Sequence, residues 1–139
     1  MRRRAAIRAI VGLALLPRSL AYAQTSATTL QIDLVMARAS LAALGTRYGA
    51  QHPEIMGAEA RLASLRTSLA EARAGHEAID VATVTARVES ELADTRARLA
   101  EFGTRCGAGH LDVATARARE QALVTALEHL TSDGYYLGD

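Results

Sequence analysis

From Leu30 to Leu130 the apolar residues recur mainly in steps of three and four. The first series is Leu30, Leu34, Ala37, Leu41 and Leu44, continued by Tyr48. The second is Ile55, Ala58, Leu62, Leu65, Leu69 and Ala72. The third is Val81, Val84, Val88, Leu92, Leu99 and Phe102, and the fourth Val113, Ala116, Leu123, Leu127 and Leu130. Such spacing lines one face of a helix with apolar side chains. It predicts helices over about 29–44, 53–73, 81–102 and 111–130. No stretch alternates with period two, so no strand is expected. Ile32, Val35 and Met36 widen the first stripe, which predicts more than one neighbour for that helix. Val84, Val88 and Leu92 make two successive steps of four, a stutter that locally unwinds a supercoil. In the fourth series Glu120 falls on the stripe, which predicts poorer packing or an arginine partner.

The breaks between these series carry boundary signals. Pro53 fits the first position of a helix, where its missing N–H costs nothing. His52 then falls at the cap, held extended by the proline after it. Glu54 lies in the first turn, where negative charge is favoured. Gly45 and Gly49 are expected to supply the positive φ of a helix exit. Gly75 and His76 interrupt the pattern again, Asp80 is a predicted cap, and Asp133-Gly134 closes the fourth helix. A tail, Tyr135-Tyr136-Leu137-Gly138-Asp139, follows.

Segment 41–70 recurs, degraded and without gaps, at 99–128, an offset of 58 residues. Leu41/Leu99, Gly45/Gly103, Thr46/Thr104, Arg47/Arg105, Gly49/Gly107, His52/His110, Arg61/Arg119, Leu65/Leu123 and Leu69/Leu127 correspond. A fixed-period repeat marks one supersecondary unit used twice. Here the unit is helix, short turn, helix, and short turns make neighbours antiparallel. The predicted fold is all-α: two tandem antiparallel helical hairpins forming a four-helix bundle or an antiparallel coiled coil. Each stripe holds about five large side chains, worth ~1.5–3 kcal/mol apiece when buried. Something must cover them, either the other hairpin, as in a closed up-down-up-down bundle, or a second molecule.

Composition and charge change the picture at the N-terminus. Basic residues Arg2, Arg3, Arg4 and Arg8 precede an apolar run over 9–16, then Pro17 and the small-residue site Ala21-Tyr22-Ala23. That order is expected of a secretory signal peptide cleaved after Ala23. An amphipathic N-terminal helix and a twin-arginine signal are the lesser alternatives. The domain reading is a signal peptide over 1–23, a helical domain over 24–133 with hairpins at about 29–73 and 80–131, and a tail over 134–139. Removing 1–23 takes five arginines and no acid, leaving 11 Arg against 15 Asp and Glu, a net charge near −4 in place of +1. That removes the electrostatic motive for nucleic acid or an anionic membrane. No transmembrane segment is expected in the mature chain, which is placed in the periplasm or outside the cell. Cys106 is the one cysteine, so it is a free thiol or pairs with another chain.

The first turn reads Leu41-x-x-Leu44-x-x-Arg47-Tyr48-Gly49-x-x-His52-Pro53-Glu54-Ile55, continuing to Leu62-x-x-Leu65. This run of about 25 residues resembles the periplasmic coiled-coil hairpin of polysaccharide chain-length determinant proteins, the polysaccharide co-polymerase family. The second copy departs from it, with Cys106 for Tyr48 and Leu111 for Pro53. The flanking membrane helices and cytoplasmic kinase-type domain of that family have no counterpart here. The resemblance implies a helical hairpin and an envelope setting, not control of polymer length.

Candidate chemistry gathers at the turns: Arg47, Tyr48 and His52 in the first copy, Arg105, Cys106 and His110 in the second. His52, His76, His110, His129 and Cys106 raise a metal reading, yet no histidine pair has the helical i, i+3 or i, i+4 spacing of a metal site. Capping or packing at helix starts is the preferred role. Arg47 and Arg105 could hold an anion or bond to the preceding helix end. Cys106 near His110 lacks the oriented third group of a catalytic pair. Surface arginines are expected to make i, i+4 pairs such as Arg87–Glu91 and Asp94–Arg98. No cofactor or catalytic residue is assigned. The expected function is that of an exported, non-enzymatic helical interaction protein, with cell-envelope or exopolysaccharide machinery as its setting. It would bind its own kind or an envelope protein through leftover apolar positions such as Ile32, Val35 and Val124. The alternative is a small periplasmic metal- or stress-responsive binding protein.

Overall fold

The computed structural model describes residues 25–138. The expected signal peptide lies outside the described residues. The chain forms four helices: α1 (Ala27–Gly45), α2 (Pro53–Ala74), α3 (Val81–Cys106) and α4 (Leu111–Asp133). Among the described residues there is no strand, and no helix is long and apolar enough to cross a membrane.

The helix starts follow the predicted chemistry. Ser26 Oγ accepts from Thr29 N at 3.2 Å and opens α1 two residues earlier than the spacing implied. His52 and His110 cap α2 and α4 in the same conformation, φ −71°, ψ 136° and φ −72°, ψ 144°. Asp80 caps α3, accepting from Thr83 N at 3.2 Å and from the Thr83 hydroxyl at 2.6 Å. These bonds hold the Asp80 carboxyl below the ordinary carboxylate pKa, the hydroxyl bond contributing most.

The helix ends depart from expectation. Neither Gly45 nor Gly49 takes a positive φ; α1 leaves through Thr46 in the right-handed region. In the second copy α3 runs on through Gly103 to Cys106 and stops at Gly107, whose φ is 71°. One residue can end a helix this way, and the repeat uses it in one copy only. At the end of α2, His76 takes the left-handed position at φ 63°, while Gly75 stays at φ −74°. His76 N donates to Arg73 O and Glu77 N to Ala72 O, the paired bonds of a Schellman motif.

The molecule is a four-helix bundle of two antiparallel hairpins, with α1 as its common element. α1 packs on α2, on α4 and on α3; α2 and α3 do not pack on one another. The closed up-down-up-down ring is therefore open between α2 and α3. The reason lies in the stripes. Leu30, Leu34, Ala37 and Leu41 of α1 meet Leu62, Leu65 and Leu69 of α2. Val35 and Ala39, with Ile32 and Met36 beside them, meet Val84, Val88, Leu92, Leu123, Ala126 and Leu130 of the second hairpin. α1 is apolar on several sides, whereas α2 has one seam, which α1 uses up. Val35 is buried, and Ile32 and Val124 pack against the same core, so these three are not the free docking positions that their sequence spacing suggested.

The tail is part of the fold. Tyr136 is 3% exposed and belongs to the α1–α3–α4 core. Buried Gln31 on α1 donates through Nε2 to Tyr136 O at 2.8 Å and accepts from Tyr136 N at 3.2 Å. From α2, Arg66 donates to the carbonyls of Leu137 and Gly138, and the Arg73 guanidinium lies 4.0 Å from the centre of the Tyr135 ring. The tail thus straps α2 to α1 and α4.

Candidate functional site

The antiparallel hairpins bring both turns to one end of the molecule. Arg47 Nη2 pairs with Asp112 in the first turn of α4, and Thr46 and Thr115 share a hydrogen bond of 2.7 Å. The Tyr48 ring stacks on His52, centroids 4.0 Å apart and planes 13° from parallel. His52 Nδ1 accepts from Glu54 N at 3.3 Å, and His110 Nδ1 from Asp112 N at 3.2 Å. Both imidazoles thereby serve the helix starts, where backbone donors lack intrahelical acceptors. Arg105 makes an exposed i, i+4 pair with Glu101 at 3.0 Å, and Cys106 is exposed at the last residue of α3.

Of the six candidate residues, the structure ties Arg47, through Asp112, to the start of α4 beside His110, and it stacks Tyr48 on His52. It leaves Arg105 and Cys106 outside that arrangement. Among the described residues no group of three or more His, Cys, Asp or Glu side chains is placed to hold a metal ion.

Residues outside the candidate set organise the region between the hairpins. Arg119 of α4 donates to Glu91 of α3 at 2.8 Å and to Ser40 of α1 at 3.3 Å, linking three helices. Glu91 is thus taken by a partner across the bundle rather than by Arg87. Glu120 is paired with Arg96 at 2.7 Å, the arginine partner its place on the stripe called for. A charged pair at 119–120, inside the gap between Ala116 and Leu123, was the available sign that polar side chains bridge the helices here.

A recess of about 360 Å³ lies between α1 and α2, with Met36, Ala37, Leu44 and Ala58 as apolar lining and Asp33 and Arg61 as charged lining. It opens on the flank towards α3: Met36 also packs on the α3–α4 core, and Ser40, another lining residue, accepts from Arg119. This is the space a packed α2–α3 pair would have closed.

No protein-family model matches the chain, and no significant similarity to a curated protein or to a solved structure was found. The class is defined by the structure itself: an all-α protein of two helical hairpins, the second packed on α1 of the first.

Proposed function

We propose that the protein is a non-enzymatic helical interaction protein of the cell envelope that receives an amphipathic helix in the recess between α1 and α2. One observation carries this reading: α2 rests on a single helix, and the flank it shares with α1 towards α3 is left uncovered. A helix laid there would bury Met36, Leu44 and Ala58, with Asp33 and Arg61 as charged partners of opposite sign. Helix-in-groove recognition has this form, apolar anchors within a polar rim. The envelope setting is supported by the basic–apolar–small order of the N-terminus and by the resemblance of the first turn to the chain-length determinant hairpin.

A photo-crosslinking residue at Arg61, placed in the full chain and activated in cells, tests the reading. The expected result is one discrete adduct in the envelope fraction, either a dimer or a heteroadduct, lost on introducing Ala58→Arg. Circular dichroism confirms that this variant folds. No adduct, together with a strict monomer by size exclusion with light scattering, overturns the proposal.

A further inference from the structure

At the turn end a second, smaller recess of about 150 Å³ is lined by Arg47, Arg98 and Arg119, which come from the first turn, α3 and α4. Phe102 and Ala116 contribute apolar lining, and Asp112 shares the wall. Two of the guanidiniums are already matched, Arg47 by Asp112 and Arg119 by Glu91. Arg98 is exposed and has neither an ion pair nor a hydrogen bond among the described residues. Two of the three cations are matched by carboxylates, and the charge of Arg98 is left over. Arg119 Nε, on the same wall, is buried with no acceptor among the described residues. Buried donors are seldom left so.

Size and lining narrow the ligand. A recess of about 150 Å³ has room for one benzene ring, here between an apolar wall of Phe102 and Ala116 and a polar wall of arginines, Asp112 and two threonines. One surplus charge matches one carboxylate, and arginine is the side chain whose planar donor fork fits that group. A phosphate would satisfy the charge but leave Phe102 and Ala116 without a counterpart. We infer that this recess binds a small ring-bearing monocarboxylate, its carboxylate on Arg98 and its ring against Phe102 and Ala116.

The probe is benzoate, titrated into the folded chain and followed by amide chemical shifts. Benzamide, the neutral isostere, and inorganic phosphate are run in parallel. Saturable shifts around Arg98, Phe102, Ala116 and Arg119 are expected with benzoate, and much weaker ones with the other two. Arg98→Ala weakens benzoate about tenfold or more, the loss of a charge-assisted hydrogen bond, and Arg98→Lys recovers part of it. Because Arg98 holds nothing in the fold, both variants keep the circular dichroism of the parent. Arg87→Ala, on the same helix and outside the recess, leaves benzoate affinity unchanged. The inference is overturned if benzoate gives no saturable shift there, if benzamide or phosphate binds as well, or if Arg98→Ala has no effect.

Discussion

His76 shows how a single residue can carry strain that its neighbour was suited to bear. The Schellman bonds at the end of α2 need a left-handed residue, and the register puts His76 there rather than Gly75. An L-residue in that region costs ~1–2 kcal/mol, most of which glycine avoids. His76→Gly should therefore raise unfolding stability by about 1 kcal/mol, read from urea denaturation at neutral pH. Asp80 carries a pH dependence of known sign. Its folded pKa is lowered, so its contribution is complete above the ordinary carboxylate pKa and is lost as pH falls through the lower folded value. Asp80→Asn keeps an acceptor for Thr83 N but has no proton to gain. Its melting temperature should fall less than the parent's between neutral pH and the acid side of the carboxylate range. Gln31 is the buried counterpart of these surface residues. Gln31→Leu keeps the volume and removes the two buried hydrogen bonds to the Tyr136 backbone, which should cost about 1–3 kcal/mol in equilibrium unfolding.

At the level of elements, the two copies of the repeat kept their helix starts and diverged at their helix exits. The histidine caps are the same in both copies. The exits differ because α1 ends at Gly45, whereas the equivalent Gly103 lies inside α3 and Gly107 alone turns the chain. Nothing lies within 4 Å of a methyl group added at Gly103, so Gly103→Ala should stabilise α3 by about 0.5–1 kcal/mol. Gly107→Ala has equal space but a φ of 71°, so it should destabilise, as thermal unfolding of the pair would show. The tail acts as an element as well. Arg66 and Arg73 grip it from α2 while Gln31 and Tyr136 anchor it to the rest, so Tyr136→Ala should loosen α2 from a distance.

For the whole molecule, the decisive feature is the unequal support of the helices. α1 is enclosed by three others, α3 and α4 support one another and α1, and α2 leans on α1 and on the tail. Local opening follows the density of buried contacts. Amide exchange should therefore be fastest in α2 and slowest in α1, with the gap widening in Tyr136→Ala. Equal protection of α2 and α3 would contradict this ranking. The same lopsidedness leaves the α1–α2 recess uncovered, so the most easily opened helix borders the surface assigned to a partner.

Periodicity and caps determined the helices, their antiparallel order and most of their buried residues, because a stripe of Leu and Val at helical spacing has one stable use. They also placed both turns at one end, since short connections allow nothing else. The pairing of the stripes belonged to tertiary structure. Each stripe states that a helix needs cover but not which helix supplies it, and the width of the α1 stripe was the one hint that α1 would serve several. Nothing in their own segments marks Gln31 or Arg119 as a bridging residue; the fold set Tyr136 and Glu91 against them. Arg98 read as one half of a surface pair with Asp94, because an uncompensated charge is a property of three elements brought together, and no single segment carries it.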